Sequence, residues 1–262
     1  MNGVELTRFE FAYLLATLNC NEVIGLDDPS LFPQNASVRG KTLKKGRQEL
    51  ETHGWITPIP DQPDDFELDA MLLETVSIIA SPDFMIATTH TAEKDQTRLV
   101  FHYLGEGSTV ELAVQDEKNY RLGLLPEQGE MFGRIYALMQ LSPDCGTAEL
   151  RVDQTTFEKI VQYVHKGKYP DAEELLASFP LKEAEVKSLL SAIESNSRGG
   201  LVVVRVDSGE ITDGRRLSIY GSGDVAWMAI QVDSETTDFG LRPCSEASIG
   251  EFVAHFQADL SN

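Results

Sequence analysis

Cysteine is scarce in this sequence. The three residues, Cys20, Cys145 and Cys244, stand far apart, are odd in number and form no CxxC pair. That pattern excludes a disulfide framework or a zinc ribbon and points to a reducing compartment. Long apolar runs are lacking too: runs such as Leu201 to Val204 fall far short of the roughly 20 residues a membrane-spanning helix requires. Met1 to Arg8 holds no basic stretch followed by an apolar one, so no signal peptide is expected and the cytoplasm is the expected location. Positive charge is in deficit, with 22 Lys and Arg against 42 Asp and Glu, a net charge of −20 and a pI near 4.5. A surface of that sign repels phosphate backbones and disfavours general nucleic-acid binding.

Catalytic signatures are missing as well. There is no GxSxG, GxGxxG, Walker A, HRD or HExxH motif. Of the five histidines (His53, His90, His102, His165 and His255), only His90 and His102 fall on neighbouring predicted strands, and a metal there would need two further ligands that the sequence does not offer. Gly105–Gly107 and Gly221–Gly223 are glycine pairs, but each lies between two predicted strands. They read as hairpin turns, since a phosphate cradle needs amides converging at a helix start. The acidic groups Asp64-Asp65, Asp116-Glu117, Glu173-Glu174, Glu183 and Glu185 read as solvated faces, with no spacing that sets one carboxyl against another. No catalytic residue, cofactor or metal site is therefore assigned, and a non-enzymatic protein is expected.

What is present is an ordinary globular composition, 42% hydrophobic and 24% charged over 262 residues. Apolar spacing predicts helices over Glu5–Leu18, Lys41–Thr52 and Leu68–Ala80, with a Pro-rich polar stretch from Pro58 to Asp65 before the third. The period then changes to that of strands: Phe84–Thr91, Thr97–Leu104, Thr109–Gln115 and Tyr120–Leu125, closed by a helix from Pro126 to Leu141. A strand at Thr147–Val152 crosses into a second half. There, helices are predicted at Gln154–His165, Ala172–Ser178 and Lys182–Ser195. Strands follow at Leu201–Asp207, Arg215–Tyr220, Val225–Val232 and Phe239–Leu241, and the last helix starts at Ser245. Trp227, Tyr220, Phe101, Tyr103, Phe252 and Phe256 are expected core residues.

The plan repeats. A displacement of 117 residues sets Leu122-Gly123-Leu124-Leu125-Pro126 on Phe239-Gly240-Leu241-Arg242-Pro243, Leu72-Leu73 on Leu189-Leu190, and Gly133 on Gly250; one of 116 sets Gly105 and Gly107 on Gly221 and Gly223. The expected fold is α/β (α+β), with two pseudo-two-fold related halves, residues 1–145 and 146–262. Each holds helices, a mainly antiparallel meander and a closing helix, with the strand at 147–152 as a candidate join.

This pattern resembles the EspG family of type VII (ESX) secretion-associated chaperones, as a divergent member, over nearly the whole chain. The resemblance lies in the opening Leu-rich helix (Leu6 to Leu18) and the Gly40…Leu43…Leu50…His53-Gly54-Trp55-Ile56 segment. It continues in the helix ending Ile78-Ile79-Ala80-Ser81-Pro82, in the Gly214-Arg215-Arg216-Leu217…Trp227…Pro243 stretch, and in the terminal helix. The likeness implies a cytosolic chaperone that keeps helical secretion substrates of PE/PPE or WXG100 type soluble by holding them near the helical tip. By position in the family, the loop Ala92–Gln96, with Glu93, Lys94 and Asp95, and the helices from Gln154 to Ser195 would contact the partner. The chain departs from the family in its polar loops, rich in Asn, Lys and Gln, so a shared fold is compatible with a different partner. Two other readings stay open. One is a winged-helix-type regulator, because Arg39, Lys41, Lys44, Lys45 and Arg47 cluster within nine positions before His53-Gly54-Trp55-Ile56; the cluster also suits an acidic partner. The other is an enzyme with a cleft where the halves meet. A homodimer through an exposed edge strand is compatible with the pattern.

Overall fold

The structure, a computed structural model, describes residues 3–60, 62–91, 97–105, 107–115, 119–125, 127–143, 146–195, 197–231 and 237–258. In chain order the first half contributes β1 (Val4–Thr7), α1 (Arg8–Thr17), α2 (Ala36–His53), β2 (Ile56–Ile59), β3 (Gln62–Leu68), α3 (Ala70–Ala80), β4 (Phe84–Thr91), β5 (Thr97–Gly105), β6 (Ser108–Val114), β7 (Asn119–Leu125) and α4 (Gln128–Met139). The second contributes β8 (Leu150–Asp153), α5 (Gln154–His165), α6 (Tyr169–Leu176), α7 (Glu183–Glu194), β9 (Arg198–Asp207), β10 (Glu210–Tyr220), β11 (Trp227–Gln231), β12 (Asp238–Pro243) and α8 (Glu246–Ala258). β2 and β3 form a small hairpin of their own. The other ten strands make one sheet in the order β1-β7-β6-β5-β4-β9-β10-β11-β12-β8. The order reads alike from either edge, so the mixed α+β architecture repeats as the sequence predicts.

Local chemistry fixes the helix starts. Thr7 caps α1: its hydroxyl accepts from Glu10 N at 3.2 Å while Glu10 Oε2 accepts from Thr7 N at 2.8 Å, a reciprocal box that satisfies two otherwise orphaned amides. At α2, α3 and α5 the cap is one-sided: the side chains of Asn35, Asp69 and Asp153 accept from backbone amides of the first turn. Gly54 ends α2 in the left-handed region, φ 75°, where a side chain would be strained.

Contact density divides the chain into two units. The first comprises residues 1–87, 100–131 and 204–213. Its core gathers Phe11, Leu14 and Leu15 of α1, Leu72 and Val76 of α3, and Tyr103, Leu112 and Tyr120 of the sheet, all buried. The rings of Phe11 and Tyr120 meet at 5.0 Å, tilted by 49°, and α1 meets α2 at Gly46, where a Cβ would stand 2.1 Å from Phe9 O. The second unit comprises residues 88–99, 132–203 and 214–262. There α5, α6 and α7 pack on β8, β11 and β12 through Phe157, Ile160, Leu176, Leu189, Ile193, Trp227 and Leu241. Each such side chain contributes about 1.5–3 kcal/mol by leaving water.

Three expectations are corrected. Residues 4–7 extend as β1 beside β7 instead of opening the first helix, with Leu6 opposite Tyr120. The Pro-rich stretch forms the β2–β3 hairpin, with Ile56 opposite Leu68. The strand near 147–152 lies at the sheet's edge and not at a join: among the described residues β8 pairs with β12 alone. Of the glycine pairs, Gly107, Gly221 and Gly223 have the positive φ of turn residues, whereas Gly105 ends β5 opposite Ser108.

Candidate partner-binding groove

The most chemically suggestive concavity of the second unit lies between α5 and the sheet. Asp153 starts α5 directly from β8, its carboxylate accepting from Thr156 N at 2.9 Å, so the helix is laid back across the strands it has just left. Ile160 and Val164 on one face are buried in the core, while Val161, one residue round, is only partly covered. Phe157 meets the ring of Tyr220 edge-on at 5.6 Å and 85°, and that of Phe239 at 5.9 Å. Together with Val161, Ser218 and Ala229 these rings bound a groove of about 310 Å³, with Gln154, Glu158 and Gln162 along its rim. Glu158 is engaged by Gln154 Nε2 at 2.7 Å on its own helix. The arrangement offers an apolar slot with a polar margin, suited to receiving an apolar side chain from another molecule.

Arg198 packs against Tyr220, one of the rings that line this groove. Its guanidinium donates to the carbonyls that close α7, reaching Ser195 O and Ile193 O at 2.5 Å and Ala192 O at 3.3 Å. It also lies 4.9 Å from the centre of the Tyr220 ring. Burial lowers the pKa of Arg198 and raises that of the Tyr220 hydroxyl. The orphan carbonyls at the helix end are thus satisfied by a side chain that also fixes a wall of the groove.

The titratable groups elsewhere are held structurally. His90 Nε2 lies 3.2 Å from Ser197 Oγ, a nucleophile–base pair by type, yet both residues are buried and no carboxylate hydrogen-bonds the imidazole among the described contacts. His102 instead faces Glu111 across β5 and β6 at 3.4 Å, so the two strand histidines have separate partners. Glu10, wholly buried, receives His53 Nδ1 at 2.6 Å. Among the described residues no group of three His, Cys, Asp or Glu side chains could hold a metal ion, and no helix is long and apolar enough to cross a membrane.

Of the positions singled out in the sequence, Glu93, Lys94 and Asp95 lie outside the described residues, as does Cys145. The 154–195 helices form the α5–α7 bundle that walls the groove. The basic cluster at 39–47 lies on α2, followed at once by the β2–β3 hairpin. Trp227, Phe101, Tyr103, Phe252 and Phe256 are core residues, whereas Tyr220 is half-buried and lines the groove. The convergence of Phe157 and Phe239 escaped sequence reading. The one available signal was Val161, an apolar residue beyond the stripe that the core needs.

Fold and groove together define a mixed α+β protein with a partly apolar surface slot. No protein-family profile and no curated protein matches the sequence. Among solved structures the chain is similar to the type VII secretion system chaperone EspG5 of Mycobacterium tuberculosis, determined in complex with the PE25–PPE41 dimer. The TM-score is 0.65 at 10% identity, covering 95% of this chain and 93% of that one. The EspG-like fold expected from the sequence is therefore present.

Proposed function

We propose that this chain is a chaperone-like, non-enzymatic binding factor of the cytoplasm that holds a helical type VII secretion substrate, of PE/PPE or WXG100 kind, by an exposed end. The observation that carries this reading is the fold shared over nearly its whole length with a chaperone solved on its protein partner. The α5–α7 bundle supplies the contact surface in this proposal, with an apolar partner side chain seated between Phe157, Tyr220 and Phe239. The 92–96 loop, through Glu93, Lys94 and Asp95, adds polar contacts by its place in the chain. Burial in such a slot concentrates affinity in a few residues.

The test is co-expression with candidate substrates from the same genome, followed by calorimetry on purified complexes. A stoichiometric complex that Val161→Glu weakens by about 100-fold or more, with unchanged thermal melting, is the expected result. If no PE/PPE- or WXG100-like protein associates, the proposal falls. If one binds but ignores Val161→Glu, the groove is the wrong surface.

A further inference from the structure

The cations of α2 are left over by the groove. The helix carries Arg39, Lys41, Lys44, Lys45 and Arg47 against two carboxylates, Glu49 and Glu51, in a chain of net charge −20. Its buried face is Thr42, Gly46 and Leu50. Helical spacing turns Lys41 and Lys44 to the opposite side and sets Val38 and Lys45 at the margin of the buried stripe; all four are exposed, Val38 at 49%. Among the described residues Lys41 and Lys44 have no hydrogen-bond or ion-pair partner, in contrast to Arg47, which pairs with Glu51 at 3.0 Å. Lys45 has a 3.5 Å ion pair with Glu49 and is itself 53% exposed, a pairing worth little in water. The cationic surface continues onto α1. Lys45 Nζ lies 3.8 Å and Arg8 Cζ 4.8 Å from the centre of the Phe9 ring, so one aromatic ring on α1 is flanked by two cations.

We propose that this face of α2 is a docking surface, distinct from the groove, for a short acidic segment of a partner protein. Carboxylates one turn apart would meet Lys41, Lys44 and Lys45, and an apolar side chain would cover Val38. Charge complementarity selects the class of partner. A short peptide feels charges only within a Debye length of about 8–10 Å, so the local cations decide its attraction. A duplex or a membrane is an extended polyanion. It would bring its phosphates near the rest of an acidic surface, and three or four cations offset few of them. The β2–β3 hairpin following α2 makes duplex DNA the natural competitor to be tested.

The experiment is fluorescence polarisation with the full chain and a labelled peptide of about a dozen residues, half of them Glu, with one Leu per helical turn. It is run at about 25 mM and about 300 mM salt. Duplex DNA and phosphatidylglycerol vesicles are run in parallel. Saturable peptide binding that weakens at high salt supports the proposal, if the Lys41→Gln, Lys44→Gln, Lys45→Gln variant reduces it about tenfold without altering the thermal melt. Val38→Ala should weaken it further. Absence of binding, or binding indifferent to the triple substitution, overturns it. Tighter binding of DNA or vesicles through the same lysines also overturns it, in favour of a phosphate-bearing partner. The secretion-substrate complex is measured separately, so failure of either reading leaves the other testable.

Discussion

Arg198 shows how much one side chain can coordinate. It closes α7 electrostatically, meets Tyr220 through its ring face, and reaches His165 Nε2 at 3.4 Å. Arg198→Ala strands helix-terminal carbonyls and removes a wall support, so a loss of about 2–3 kcal/mol is expected in urea denaturation. Arg198→Lys should restore only part of that, because an ammonium cannot fan out to several carbonyls in a plane. His90 makes a pH-dependent contribution. Burial, reinforced by Arg98, lowers its pKa in the folded chain. Below its ordinary value of about 6.5 the unfolded chain takes up a proton that the folded chain refuses. Stability is therefore complete above that pH, falls as pH drops through it, and levels off below the folded value. Urea midpoints from about pH 8 to about pH 5 should show this decline, and His90→Gln should flatten it. None of this was legible in the sequence, which showed His90 only as a strand histidine; Ser197, its partner, is 107 residues away.

At the scale of elements, Gly46 governs the α1–α2 crossing. Alanine favours a helix by about 1 kcal/mol over glycine, but here its Cβ would overlap Phe9 O at 2.1 Å and crowd Tyr13 Cβ at 2.9 Å. Gly46→Ala should nevertheless destabilise by about 1–3 kcal/mol, as overpacking outweighs propensity, and a drop in the thermal midpoint checks this. Helices and long strands were readable because their apolar periods are strong; α5 and β4 match the predicted spans end for end. β1 was missed because Leu6 also fits the helical stripe of Phe9 and Tyr13, and only pairing with Tyr120 decides otherwise. The β2–β3 hairpin was missed because Pro58 and the acidic residues after it are poor strand formers. The hairpin is held by cross-strand pairing and by packing such as Tyr13 against Phe66 at 5.9 Å, a contact that local sequence cannot announce. The groove's aromatics were visible singly, but their meeting depends on how α5 lies over β10 and β12.

For the molecule as a whole, the proposed duplication makes a quantitative claim. Leu72 and Leu189, related by the sequence offset, are both almost fully buried on α3 and α7, as are Val76 and Ile193. Leu72→Ala and Leu189→Ala should each cost about 2–5 kcal/mol, with similar values if the two halves are equivalent environments. A negligible cost at one of them, by denaturant titration, would separate the halves energetically. The sheet order carries a further consequence for the chain as it is synthesised. Its finished edges are blunt: β1 and β8 have four residues each and bear charges at Glu5, Arg151 and Asp153. β4 is different, eight residues without proline or an acidic or basic residue other than His90, and its outer flank is covered only when β9 arrives more than a hundred residues later. A nascent chain, or one truncated near residue 145, would expose that flank as a ready template for its neighbours. Such a fragment should form sedimenting, thioflavin-positive assemblies where the intact protein stays dispersed.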